Sequence, residues 1–529
     1  MTEPNGGSVP QMLQREVRDF IRSHEQRRRQ LPRAILIGLV AGLFAVSFRA
    51  SLDLVERLRS QLITAAHLHH PWGFLIVVLV ASAGGGVAVW LVTRFAPETS
   101  GSGIPHVKAV LHGLDPIRWK RVLPVKFASG VVGIGAGLAL GREGPTIQMG
   151  ASVGEMVSRW FASTPRERRT LIAAGAGAGL SAAFNAPLAG LVFVLEEVQR
   201  DFAPAVFAMA LLASVVADVT TRLLLGQLPV FHVAVHSIPP LAALPVSLVV
   251  GAMAGILGIA FNRGLVVSLD AFQSLAPKRP WLRGVVAGVG VGAVGHFLPD
   301  VLGGGSRLVG DTLDGHIAMA VLPVFFVLRF LLTMVSYGSG TAGGIFAPLL
   351  VLGSEIGLFV GKAGHHLFPG IVHHAGTFAV VGMAAYFSAI VRAPLTGIVL
   401  IVEMTGNYSL VLPLLAASLT AYGVADLLGD RPIYEALLER DLLRSRPTSA
   451  LEKSLLLDLR VMPGSPFEGR AVRDLGLPPG CILICLRRGI REEVPTADAR
   501  LAPGDQITAL VAPGAGDAVA RLREGTSRP

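Results

Sequence analysis

The sequence predicts an all-α polytopic membrane protein of two related halves with broken helices, followed by a small α+β soluble tail. Three observations carry this. Of 529 residues, 52% are hydrophobic and 16% charged, against roughly a quarter charged in a soluble chain. Near-continuous apolar runs occupy 35–48, 74–92 and 240–261, and the last two are long enough to cross a hydrocarbon core as helices. A segment of the first half also recurs in the second, ungapped, at an offset of 207 residues.

Residues 1–32 are polar and Arg-rich (REVRDFIRSHEQRRRQ), with no short apolar region or small-residue cleavage site. They read as a cytoplasmic arm or interfacial helix, not a cleaved signal peptide. A membrane domain is expected over 33–441, with halves of about 33–226 and 240–441, and a tail over 442–529. The loops IRWKR (117–121), PRERR (165–169), PKRPWLR (277–283) and GDRP (429–432) carry Lys and Arg. By the positive-inside rule they face the cytoplasm, and HLHHPWG (67–73) faces the other side. The net charge of +10 is scattered between apolar spans, which argues for lipid contact and against nucleic acid.

The repeat pairs GAGAGLSAAFNAPLAGLVFVLE (175–196) with GMAAYFSAIVRAPLTGIVLIVE (382–403), sharing APLxGxVxxxE. Upstream of the copies stand GREGP (141–145) and GGIFAP (343–348). Corresponding broken segments in two halves point to a transporter-type fold with its site at the repeat interface. Glu196 and Glu403, which end the two copies, read as partners of helix ends or backbone and not as proton carriers. GVGVGAVG (288–295) lies in an apolar span with no strand before it, so it reads as close helix packing and not as a dinucleotide fingerprint.

GSGIP (101–105), GREGP and GGIFAP each place Pro in the first turn of a helix. A helix N-terminus offers unpaired N–H groups and the positive end of its dipole, and glycine lets an anion approach the backbone. The anion-site loops therefore comprise Gly101, Gly103, Gly141, Arg142, Gly144 and Gly344. Glu143 is an ionisable residue set between glycines inside the membrane, which marks it as functional. Arg142 reads as a structural partner of backbone carbonyls or a carboxylate. Taken alone, Ser102 has an alternative reading as an N-cap, Tyr434 as an interfacial tyrosine and Glu197 as a solvated helix end.

GSGIP, GREGP, GGIFAP and the late Tyr434 (in DRPIYEALL) together resemble the CLC family of chloride channels and chloride/proton exchangers, over about residues 33–440 and in the family's order. The resemblance implies two inverted-topology repeats in a homodimer, with one anion path per subunit. Ser102 and Tyr434 would offer hydroxyls to a central chloride, and Ile345 and Phe346 their backbone N–H groups. Glu143 would be the gating glutamate, and Glu197 matches the internal proton-transfer glutamate of exchangers. His106 departs from the commoner GSGIPE, outside the ion-coordinating residues. Ser102, which is not Pro, favours chloride over nitrate at the family level.

A carboxylate is itself an anion, so a pocket built for chloride also accepts Glu143 until protonation removes its charge. One residue then serves as gate, competitor and proton carrier.

In the tail, CILICL and QITALVA suit strands, with PPG and PGD as turns and a helix at the end. The pattern is similar to the C-terminal regulatory domain of TrkA/RCK type. That implies a cytoplasmic regulatory role, by a small ligand or by tail dimerisation, with an assembly or stability module as the alternative. Cys481 and Cys485 read as strand-buried thiols. No metal site and no cofactor is expected.

The expected function is chloride transport, first as a proton-coupled antiporter in a bacterial inner membrane with both termini cytoplasmic. A passive chloride channel on the same scaffold is the alternative. A monovalent cation/proton antiporter would need carbonyl rings or several intramembrane acids. A membrane enzyme would need a nucleophile–base pair or a metal constellation, and neither is present in the sequence.

Overall fold

The computed structural model describes residues 11–68, 72–200, 202–226, 240–445, 455–488, 491–512 and 515–527. Residues 1–10 of the arm, 69–71 of HLHHPWG and 446–454 of the tail lie outside them. The chain forms two compact units that divide between Leu438 and Glu439.

The first eight helices are α1 (Gln11–His67), α2 (Trp72–Phe95), α3 (Ile104–Leu111), α4 (Trp119–Gly135), α5 (Glu143–Trp160), α6 (Pro165–Phe184), α7 (Pro187–Phe193) and α8 (Pro204–Leu225). The next eight repeat them: α9 (Leu244–Leu275), α10 (Trp281–Phe297), α11 (Ser306–Leu313), α12 (Leu322–Gly338), α13 (Phe346–Leu367), α14 (Gly376–Val391), α15 (Pro394–Thr405) and α16 (Val411–Leu427). Helix α17 (Ile433–Ser445) crosses the boundary between the units. Among the described residues six helices are long and apolar enough to span a membrane. The apolar runs reveal fewer because glycines and single polar residues interrupt a run without interrupting its helix. From Gln11 the Arg-rich stretch is helical and runs unbroken through Pro32 as the first part of α1.

The two sets are built alike. Helix α5 packs on α6 as α13 packs on α14, and α1 on α8 as α9 on α16. A Cβ at Gly175 would stand 2.1 Å from the Gly150 carbonyl oxygen, and one at Gly382 would stand 2.1 Å from that of Gly353. Only glycine lets these helix backbones approach so closely. Asn185 ends α6 and Arg392 ends α14, both in the left-handed region (φ 54° and 66°). A proline then starts the next short helix.

Glu196 and Glu403 lock the halves together. The Glu403 carboxylate accepts the N–H groups of Leu188 (3.1 Å) and Ala189 (2.7 Å) at the start of α7. The Glu196 carboxylate accepts those of Leu395 (3.1 Å) and Thr396 (2.7 Å) at the start of α15. Each half thus caps the other half's broken helix with an anion, where dipole and unpaired donors favour one. The symmetry fails next door. Val194–Val198 forms a π turn, whereas α15 runs on as regular helix.

The second unit is a four-stranded antiparallel sheet in the order β1-β4-β2-β3, from β1 (Leu455–Arg460), β2 (Cys481–Arg488), β3 (Arg491–Glu493) and β4 (Gln506–Val511). Helix α18 (Gly516–Thr526) packs on β1 and β4. Leu483, Leu486, Ile507, Ala509 and Val511 from the sheet and Ala518 and Leu522 from α18 form its core. Cys481 and Cys485 both lie on β2 but are only half-buried. A bulge between Leu483 and Cys485 breaks the alternation that would bury them on one face.

Candidate anion and proton site

The three glycine motifs meet. Gly141 and Gly344 exchange two backbone hydrogen bonds, both 2.7 Å. The Gly101 N–H donates to the Thr341 carbonyl (3.1 Å), and the Gly343 N–H donates to that of Gly101 (3.0 Å). A Cβ on Gly144 would lie 2.7 Å from the Ser102 carbonyl oxygen and 3.0 Å from the Gly344 Cα. Gly101 and Gly103 hold φ of +62° and +81°, which glycine alone adopts cheaply. Helices α3, α5 and α13 therefore start from one knot of backbone, at Ile104, Glu143 and Phe346. Their first-turn N–H groups have no carbonyl partner within their own helices. Pro105, Pro145 and Pro348 in those turns do not interrupt the helices that follow.

The residues singled out from sequence sit around this knot. Ser102, Ile345, Phe346 and Tyr434 are all fully buried. The Ser102 hydroxyl accepts the Ile104 N–H (3.3 Å), so it does serve as a local cap. The Ser102 N–H donates to the Tyr337 hydroxyl (3.3 Å). The Tyr434 ring stacks on Phe346 at a centroid distance of 6.3 Å. Its hydroxyl is buried without a hydrogen-bond partner in the protein and lies within electrostatic reach of Tyr337, Glu197 and Glu143.

Glu143 is 2% exposed. One carboxylate oxygen lies over the Gly141 backbone and has no hydrogen-bond partner. The backbone N–H groups of Glu143 itself and of Ala347 face the carboxylate, and Ala347 belongs to the first turn of α13. Arg142 precedes α5 as its cap residue, within electrostatic reach of Glu143 and Arg49.

Glu197 stands on the π turn, 1% exposed. Its Oε1 accepts from Lys108 Nζ at 2.6 Å. Lys108 is also buried, on the short helix that Ser102 precedes. Arg200 Nη2 lies 4.0 Å from Glu197 Oε2 and pairs with Glu435, beside Tyr434. A chain of contacts thus joins Glu197 and Lys108 to the knot at Ser102 and Tyr434.

Three residues of this arrangement escaped the sequence reading. Lys126, fully buried, donates to the carbonyls of Thr99 (2.9 Å) and Gly101 (2.7 Å) and pins the first glycine loop. Its signal is a lone Lys in the apolar stretch VLPVKFASG. Tyr337 and Lys108 carry no local signal, because their partners are distant in sequence.

An N–H-rich knot with an unpartnered hydroxyl and an unpartnered carboxylate oxygen is a fit for a small anion exchanging with a carboxylate. Among the described residues no group of acidic, His and Cys side chains is placed to hold a metal ion.

Comparison with known proteins agrees with this chemistry. A voltage gated chloride channel family model matches residues 84–426, and a TrkA-C domain model matches 456–523. The H(+)/Cl(-) exchange transporter ClcA of Vibrio vulnificus (strain YJ016) is 40% identical over 415 residues, covering 77% of this chain and 88% of that protein. The protein of the same name from Klebsiella pneumoniae (strain 342) is 40% identical over 432 residues, covering 79% and 90%. The crystal structure of a slow cyanobacterial Cl-/H+ antiporter matches with a TM-score of 0.76 at 40% identity, over 79% of this chain and 99% of that one. A eukaryotic CLC transporter shares the fold, with a TM-score of 0.67 at 22% identity over 84% of this chain and 78% of that one. The chain therefore belongs to the CLC family, the voltage gated chloride channel family, as an integral membrane transporter with a TrkA-C domain at its C-terminal end.

Proposed function

We propose that this protein exchanges chloride for protons across the membrane. The observation that carries the reading is the pair of buried carboxylates, Glu143 at the knot of helix N-termini and Glu197 on the π turn, both within electrostatic reach of Tyr434. The names of its relatives support it. Chloride sits on the N–H groups of Ile345 and Phe346 and on the hydroxyls of Ser102 and Tyr434. Charged Glu143 competes for that environment and leaves it when protonated. Glu197 passes protons to and from the opposite side through transient water, since a bare proton cannot cross an apolar gap. The loops of Gly101, Gly103, Gly141, Arg142, Gly144 and Gly344 shape the path. The protein acts as a transporter and not as an enzyme.

On this reading the protein is a homodimer with one path per subunit. Exposed Leu188, Leu395, Leu412 and Leu419 lie on α7, α15 and α16, an apolar face open to a second copy or to lipid. The basic loops support an orientation in a bacterial inner membrane with both termini cytoplasmic. The TrkA-C region regulates transport, by a small ligand or by tail dimerisation. Reversal potentials of the purified protein in liposomes, under separate chloride and pH gradients, test the proposal. An exchanger reverses away from the chloride equilibrium value and moves with pH. Reversal at the chloride value alone makes the protein a passive channel.

A further inference from the structure

Helices α1 and α4 meet along a groove that the transport cycle does not use. It has a volume of about 460 Å³ and is walled by Phe44 of α1 and by Trp119, Leu123, Pro124 and Phe127 of α4. At one end Phe127 packs edge-on against Phe48, at a centroid distance of 5.4 Å. Pro124 stands inside α4 and is exposed. It has no N–H for the carbonyl one turn earlier, and its ring crowds that turn.

The other end of the groove is basic. Lys120 lines it, with Nζ 5.6 Å from the centre of the Trp119 ring, a cation–π distance that holds the ammonium at the mouth. Arg118 and Arg121 flank it, both exposed. The nearest acid in sequence, Asp115, faces His106 at 3.6 Å. An apolar slot between membrane helices, with a tryptophan and Lys120 in its lining and two exposed arginines adjacent in sequence, matches an acyl chain carrying an anionic headgroup. A free phosphate would use the cations and leave the slot unused.

We propose that this groove is a binding site for one anionic phospholipid, with an acyl chain along Phe44, Leu123 and Phe127 and the phosphate on Lys120 and Arg121. The test uses Trp119 as reporter, with Trp72, Trp90, Trp160 and Trp281 each replaced by Phe. The protein is reconstituted in phosphatidylcholine vesicles containing either brominated phosphatidylglycerol or brominated phosphatidylcholine. The anionic lipid should quench Trp119 at a mole fraction lower by about fivefold or more. The K120Q/R121Q double substitution should abolish that difference. Equal quenching by both lipids, which is annular contact only, overturns the site, as does a preference that survives the double substitution. Should the Trp-depleted protein fail to fold, the unmodified chain in detergent decides. Added phosphatidylglycerol should raise its Tm more than phosphatidylcholine does, and K120Q/R121Q should remove the excess. No excess in the unmodified chain also overturns the proposal.

Discussion

Glu143 and Glu197 are both buried carboxylates, yet their surroundings differ. Glu143 has backbone N–H groups and glycine around it and Arg142 within electrostatic reach, with no ion pair among the described residues, so its own negative charge is what those surroundings favour. Glu143→Gln should therefore abolish proton movement while chloride flux persists. Proton pumping driven by a chloride gradient in the variant would remove Glu143 from the coupling. Glu197 is instead clasped by buried Lys108. Removing one member of a buried pair strands the other charge, at a cost of about 3–5 kcal/mol. Glu197→Gln alone should thus both uncouple protons and lower stability. The double variant Lys108→Met/Glu197→Gln should recover most of the stability, remain uncoupled and reverse at the chloride potential in liposomes. Retained proton transport in the folded double variant would rule out Glu197 as the internal carrier. Glu143 stood out in the sequence because a carboxylate between glycines in an apolar stretch has little to pack on, which argues against a snorkelling charge. Lys108 did not, because its meaning appears only when the fold brings Glu197, 89 residues away, to its side.

At the level of elements, the repeat was the most legible feature, and its chemistry is in the crossed caps. Glu196 and Glu403 each satisfy two backbone N–H groups that start the other half's short helix. Replacing either by Ala leaves those donors without their acceptor, a loss of about 1–3 kcal/mol. Glu403→Ala and Glu196→Ala should lower the Tm in detergent, while proton coupling in the surviving folded protein stays intact. Loss of coupling with unchanged Tm would instead make these residues carriers. Helix count was less legible than the repeat. Short broken helices such as α3 and α11 have eight residues each, too few for periodicity to declare them, and the π turn at Val194–Val198 has no sequence signature. It is nevertheless where the two halves cease to match and where Glu197 resides, in keeping with the tendency of π turns to occur at functional sites.

The whole molecule is two units with separate cores, and the drop in apolar density near residue 440 announced the division. What the tail sequence did not announce is a buried charge. Asp505, 2% exposed, takes two hydrogen bonds from Arg488 (2.9 and 2.7 Å) and one from the Ala502 N–H (2.8 Å). The Arg488 hydrogen bond, foremost, holds the Asp505 carboxyl below its usual range. A carboxyl depressed on folding stabilises above its unfolded pKa and loses that contribution as pH falls through its folded value. Residues 439–529 expressed alone should therefore keep a constant Tm down to about pH 4 and lose part of it below. Asp505→Asn should be less stable at pH 7 and lack that acid-side loss, and an identical acid profile in the variant would assign the loss to other groups.

The division of the chain into two units also bears on transport. Every residue proposed to hold chloride or carry protons, from Ser102 to Tyr434, precedes the boundary at Leu438. The caps, the glycine knot and the Lys108–Glu197 pair likewise close within the first unit. Deleting residues 446–529 should therefore leave a folded membrane protein that still exchanges chloride for protons, with the same reversal potential in liposomes. The turnover rate is where a regulatory tail would register, so a changed rate at an unchanged reversal potential is the expected signature. A truncated protein that is monodisperse but carries no chloride flux would show that the tail completes the path, and the separation of transport from regulation would fail.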